Sequence, residues 1–156
     1  MSNISVKFNN GEQSLQITMN HCPLCRPENE TILWQDAHCR VILTDESDYP
    51  GFCRVIWDEH AKEMTDLTES QRAHLMMVVF VVEEILREIL RPDKINLASL
   101  GNQVPHLHWH VIPRFADDAH FPDPVWAARK RAGRAAFMDR LRLIEDLKQH
   151  LSENLG

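Results

Sequence analysis

No stretch of this chain is apolar for long enough to cross a membrane. The longest such run, Leu75 to Val82, covers eight residues, against the about 20 that a helical span needs. The N-terminal MSNISVKFNNGEQ has no apolar signal core. The expectation is a cytoplasmic protein without a membrane partner. Basic charge is also short. Seventeen Lys and Arg stand against 23 Asp and Glu, a net −6, which excludes a global positive field of the kind that holds nucleic acid non-specifically. Cysteine is sparse, with four in 156 residues. That is no disulfide framework, and in a cytosolic chain the close pair in Cys22-Pro-Leu-Cys25 favours metal or redox chemistry. No repeat and no low-complexity linker divides the sequence, so residues 1–156 are read as one domain.

What is present fits a globular α+β fold. Apolar residues make up 44% and charged residues 26%, enough for one packed core. A short strand is expected near Leu15–Met19. Thr31–Asp36 and Cys39–Thr44 read as a hairpin, Phe52–Trp57 as a third strand after the acid-rich loop 45–51, and Ile95–Gly101 and Leu107–Pro113 as a further pair. Thr68-Glu-Ser-Gln71 is a capping box that opens a long helix ending at Arg91-Pro92. Its stripe is Leu75, Val79, Val82, Leu86 and Ile89. However, residues 75–82 are apolar all round, so this half of the helix needs burial on more than one side, and a homodimer interface is expected. Asp123-Pro124 is expected to start a C-terminal helical region over about 123–154, after a core of about 22–115. Hairpins with helices between and after them argue an antiparallel sheet of about five strands rather than βαβ units.

The sequence HLHWHVIPRF at 106–115 carries the chemistry. In a strand, side chains alternate between faces, so His106, His108 and His110 share one surface while Leu107, Trp109 and Val111 point into a core. Neutral imidazole is a nucleophile, a base or a metal ligand near pH 7. Chance placement of histidines on a surface strand does not account for perfect alternation with apolar residues at every intervening position. Separately, Cys22-x-x-Cys25 is half of a tetrahedral zinc site and lacks two ligands.

The pattern His106-Leu-His108-Trp-His110-Val-Ile112 resembles the signature of the histidine triad family at every position. The likeness extends over GFCRVIWDEH, the long helix and INLASLGN, roughly Cys22 to Phe115. The resemblance implies a nucleotide hydrolase that cleaves at the α-phosphate of dinucleoside polyphosphates or nucleoside phosphoramidates. His108 would be the nucleophile that forms a nucleotidyl-histidine, and His110 would hold its ring and the phosphate. A histidine at the third place, where uridylyltransferase relatives carry glutamine, is similar to the hydrolase side. Asn102 and Gln103 match the polar phosphate contacts of the family; plain turn chemistry is the alternative for both. Asp45 is the candidate ribose-binding acid, with Asp48 competing; a solvated loop acid is the alternative for either. The resemblance also assigns zinc, as a structural ion, to Cys22, Cys25, His60 and His106, with no organic cofactor. Trp34 and Ile42 are either walls for a base or core residues, and Trp126 either closes the site or anchors the last helix. The basic stretch Ala128–Arg134 is either a polyphosphate attractor or a solvated helix face.

Two departures stand out. Gly51 is followed by Phe52 where many members carry a histidine, and the connection from Asn96 to His106 is short. They favour the rival reading, a nucleotide-binding or protein-interaction module with little turnover.

Overall fold

A computed structural model describes residues 22–133 and 139–156. The strand expected near Leu15–Met19 and the end of the basic stretch at Arg134 lie outside them. The described residues contain an antiparallel sheet of five strands in the order β1-β2-β3-β5-β4. The strands are β1 (Thr31–Gln35), β2 (Cys39–Leu43), β3 (Cys53–Trp57), β4 (Lys94–Ala98) and β5 (His108–Arg114). Two helices, α1 (Glu69–Leu90) and α2 (Arg140–Leu155), pack on one side. The α+β expectation holds.

Local chemistry explains the boundaries. At the β1–β2 turn the Asp36 carboxylate accepts from the backbone N–H of His38 and of Cys39, both at 2.8 Å. At Thr68, Oγ1 accepts from Gln71 N at 3.3 Å while Gln71 Oε1 accepts from Thr68 N at 2.8 Å. The box thus satisfies two donors at the start of α1. That helix ends at Arg91, which is left-handed with φ 48°, just before Pro92. Gly51 has φ +83° and packs under Leu86 and Leu90, where a Cβ would collide.

The two faces of the sheet have different fates. Val41, Val55, Trp57 and Val111 pack with Leu75, Val79, Val82 and Leu86 of α1 and Leu143, Leu147 and Leu151 of α2 in the main core. The opposite face carries the row Ile32, Ile42, Arg54, His110 and Ala98, aligned across all five strands. Beside it run Arg40, Ile56 and His108.

One expectation is corrected. The last helix begins at Arg140, with Asp139 as its cap, and not at Asp123-Pro124. Residues 118–133 instead form a non-helical strap. Its anchor is the fully buried Arg114, which donates to both Asp118 oxygens at 2.7 and 3.0 Å, to Asn96 Oδ1 at 2.7 Å and to the Asp123 carbonyl at 2.8 Å. A guanidinium taken from water needs such complete partnering, and the strap supplies much of it. The structure also decides between the two readings of Trp34. A bulge between Ile32 and Trp34 places one extra residue in β1. The extra residue moves Trp34 onto the helix face, where it packs on the main core and its Nε1 donates to the Gly156 carbonyl at 3.4 Å. It cannot wall a base on the histidine face.

Candidate active site and metal centre

Strand β5 sets the site. His106, His108 and His110 are buried, at 1%, 7% and 5% exposure. They do not share one environment. His106 precedes the strand and turns toward the Cys22–Cys25 loop. His108 and His110 stay on the open face, with rings 4.8 Å apart and nearly perpendicular. Nδ1 of His108 donates to the backbone carbonyl of His106 at 2.6 Å. This bond assigns the proton to Nδ1 and leaves Nε2 with the lone pair. Ser99 Oγ donates to the His108 carbonyl at 2.9 Å and fixes the strand behind the ring.

Burial keeps both rings neutral. Desolvation pushes the His108 imidazole below its ordinary value, opposed by the bond to His106 and assisted by the charge of Arg54. Burial, the neighbouring His108 and Arg54 together push His110 down to about 3. His110 Nδ1 is buried and has no hydrogen-bond partner. Its ring is held between two aromatic edges, Phe52 at 5.6 Å and Trp126 at 5.2 Å between centroids. Phe52 thus puts an apolar edge beside His110, and Trp126 comes from the strap of the same chain. Trp126, half exposed, lies over His110, as the site-closing reading expects.

The sequence candidates divide. Asn102 and Gln103 are exposed in the loop before His106. Asp45 is 98% exposed at its side chain, 3.6 Å from Arg140. It lies with Ile42, Thr44, Arg54 and Arg140 along a groove of about 530 Å³ on the histidine side of the sheet. Asp48 is taken by Arg129 at 2.7 Å. The basic stretch pins the strap: Arg129 reaches Asp48, Lys130 pairs with Asp123 at 2.8 Å, and Arg131 donates to the carbonyls of Asp118 and Phe121. Neither earlier reading of that stretch describes this arrangement. Ser99, Arg54 and the Arg114–Asp118 pair escaped the sequence reading. For Arg54 a signal existed, since a charge at the period-two position between Phe52 and Ile56 faces the same side as they do.

The four sulfur and nitrogen candidates converge. Cys22 Sγ and Cys25 Sγ each lie 3.4 Å from His106 Nδ1, and Cys25 Sγ is 3.2 Å from His60 Nδ1. All four ligand atoms fall within 4.8 Å of one another. Tetrahedral zinc with sulfur at about 2.3 Å and nitrogen at about 2.0 Å sets ligands roughly 3.5 Å apart, so the cluster fits the ion. Nε2 of His106 donates to the Trp57 carbonyl, which frees Nδ1 for a metal in the manner of an outer-shell contact. Arg40 braces the loop from behind, donating to Leu24 O at 2.9 Å and pairing with Glu30 and Asp58. Burial and the adjacent Cys22 push the Cys25 thiol up to about 11, a trend Arg40 opposes. A cation would reverse that shift. Cys39 and Cys53 are buried free thiols of the core, as expected.

An antiparallel sheet that presents two neutral, buried imidazoles beside a Cys2His2 cluster defines the class: an α+β histidine triad protein. The chain belongs to the HIT domain family, whose profile matches residues 26–117. Among curated relatives it is 31% identical over 78 residues to "AP-4-A phosphorylase" of Mycobacterium tuberculosis, covering 46% of this chain and 40% of that protein. It is 29% identical over 83 residues to "Bis(5'-nucleosyl)-tetraphosphatase [asymmetrical]" of Schizosaccharomyces pombe, covering 50% and 46%. The chain thus spans less than half the length of these relatives. A crystal structure of a histidine triad protein from Bradyrhizobium japonicum superposes with a TM-score of 0.66 at 29% identity, covering 82% of this chain and 92% of that one.

Proposed function

We propose that this protein hydrolyses a nucleotide at its α-phosphate through a covalent intermediate on His108. The observation that carries the reading is the 2.6 Å bond from His108 Nδ1 to the His106 carbonyl. It orients the ring and reserves the Nε2 lone pair for attack. Nε2 forms a bond to the α-phosphorus as the bond to the leaving group breaks. The leaving group departs with the electron pair and takes up a proton. Water then attacks the same phosphorus, the nucleoside monophosphate leaves, and neutral His108 is regenerated. His110 would steady the ring and meet the phosphoryl oxygens. Asn102 and Gln103 would close over the phosphates from their exposed loop, and Asp45 would accept hydrogen bonds from ribose hydroxyls in the groove beside Ile42.

The names of the two relatives support a dinucleoside polyphosphate as substrate, and a nucleoside phosphoramidate presents the same α-phosphate. Zinc would be held by Cys22, Cys25, His60 and His106, a closed set with no open coordination position. Its chemistry there is to crosslink the 22–25 loop to the start of β5. The protein would act as a homodimer. Met77 and Phe80 of α1 are 42% and 54% exposed, and the outer edge of β4 ends the sheet without a further strand among the described residues. Both need cover.

The test follows AMP release from an adenosine phosphoramidate and from diadenosine tetraphosphate, with His108→Ala beside the parent. Release by the parent and loss in the variant is expected, and the faster substrate names the leaving group. Reversible nucleotide binding with no AMP release from either would overturn the hydrolase reading in favour of a binding module.

A further inference from the structure

Three arginines stand out in or beside the sheet, and two of them are fully partnered. Arg40 holds Glu30, Asp58 and the Leu24 carbonyl. Arg114 holds Asp118, Asn96 and the Asp123 carbonyl. Arg54 is the exception. It is half-buried on β3, and its Nε is buried without a hydrogen-bond partner. No carboxylate pairs with it among the described residues. A buried donor left unsatisfied is costly, and more so when it is charged. Folding alone offers no return for that cost at this position, since an aliphatic side chain would fill the space between Ile42 and His110.

The surroundings indicate which group completes Arg54. It is the cross-strand neighbour of His110 on one side and of Ile42 on the other. It lines the groove that also holds Thr44, Asp45 and Arg140. Thus the guanidinium stands between a largely polar groove, which holds Ile42 and the carboxylates of Glu30, Asp45 and Glu46, and the two imidazoles of the site. A molecule lying across this row with its apolar part on Ile42 and its reacting part at His108 puts its connecting group over Arg54. Of the common connecting groups, an anionic one answers an unpaired guanidinium, whose planar fork matches phosphoryl oxygens.

We propose that Arg54 binds the α-phosphoryl oxygens of the nucleotide and holds the phosphorus in front of His108. The proposal rests on the nucleotide reading given above, but it concerns binding and does not need turnover. The guanidinium also opposes the charge that collects on those oxygens during attack, where a fixed cation in a dry site acts most strongly.

The experiment measures AMP, adenosine and inorganic phosphate binding by calorimetry on the full chain, for the parent, Arg54→Met and Arg54→Lys. AMP affinity is expected to fall roughly tenfold or more in Arg54→Met, with adenosine affinity within about twofold of the parent. Arg54→Lys restores part of the loss. Unchanged adenosine binding shows that the Met variant is folded. Equal losses for AMP and adenosine, or no loss for either, would overturn the proposal. If AMP binding depends on Arg54 but the substrates release no AMP, only the hydrolase reading fails. If the parent binds neither adenosine nor AMP, both fail.

Discussion

The His106 carbonyl accepts the Nδ1 proton of His108 at 2.6 Å, while the His106 ring points Nδ1 at Cys22 and Cys25, each 3.4 Å away. One residue therefore belongs to the metal cluster through its side chain and to the catalytic candidate through its backbone. Loosening the cluster would move the atom that orients the proposed nucleophile, His108. Cys25→Ser is expected to lose bound zinc, to lower the melting temperature and to reduce kcat for AMP release about tenfold or more, as outer contacts of a site typically do. Metal content by mass spectrometry and the kcat-against-KM split check this. A zinc-depleted variant with unchanged kcat would disconnect the two sites.

Acid stability should report the buried ring of His110. Its pKa is held near about 3 by burial, His108 and Arg54, whereas an unfolded histidine titrates near 6.5. Between those values the unfolded chain binds the proton that the folded protein refuses. The stability that depends on neutral His110 is therefore complete above pH 6.5 and falls as the pH drops toward 3. The slope contributed is at most about 1.4 kcal/mol per pH unit. His110→Gln should flatten urea midpoints measured between pH 7 and pH 4 relative to the parent.

Removing one partner of the buried Arg114–Asp118 pair strands the other. Arg114 and Asp118 are 2% and 1% exposed. Burial alone would raise the Asp118 pKa, but Arg114 and the backbone N–H groups of His120 and Phe121 hold it below the usual carboxylate range. Arg114→Met should cost about 3–5 kcal/mol in urea unfolding. It should also release the strap, and with it Trp126 from His110. Quenching of Trp126 fluorescence by acrylamide, read against a Trp126→Phe control, should rise in Arg114→Met.

The exposed face of α1 predicts its own variant. Phe80 is 54% exposed and flanked by Met77. Phe80→Glu puts a charge in the centre of that patch, so on the proposed homodimer light scattering should show a dimeric parent and a monomeric variant. A parent that is already monomeric at high concentration would remove the dimer from the proposed function.

Much of the fold is legible because its signals are local. The Thr68–Gln71 box and the Arg91-Pro92 stop bound α1 by chemistry that acts within one turn. Alternation marks β5 and its lead-in, where histidines interleave with Leu107, Trp109 and Val111, while β2 and β3 read as short apolar runs because both of their faces are largely buried. The strap fails this test. Asp123-Pro124 has the form of a helix start, but the Asp123 carbonyl is drawn to Arg114, nine residues earlier, and tertiary hydrogen bonding overrides the local preference. Trp34 fails for a related reason: a single bulged residue inverts the alternation, and composition does not announce a bulge.

By itself the sequence determined the histidine row and its chemical types, because a period of two puts His108 and His110 on one face of β5 and His106 just before it. It also determined which cysteine pair has metal-ligand spacing. Only the tertiary structure decided how those residues divide their work. The turn before β5 sends His106 to the cysteines and keeps His108 on the open face. Strand register, a long-range property, sets Arg54 beside His110, and the buried Arg114 carries Trp126 over it. Contacts between residues this far apart depend on which strands pair and which loops are drawn together, and the cooperative packing of the whole chain makes that choice.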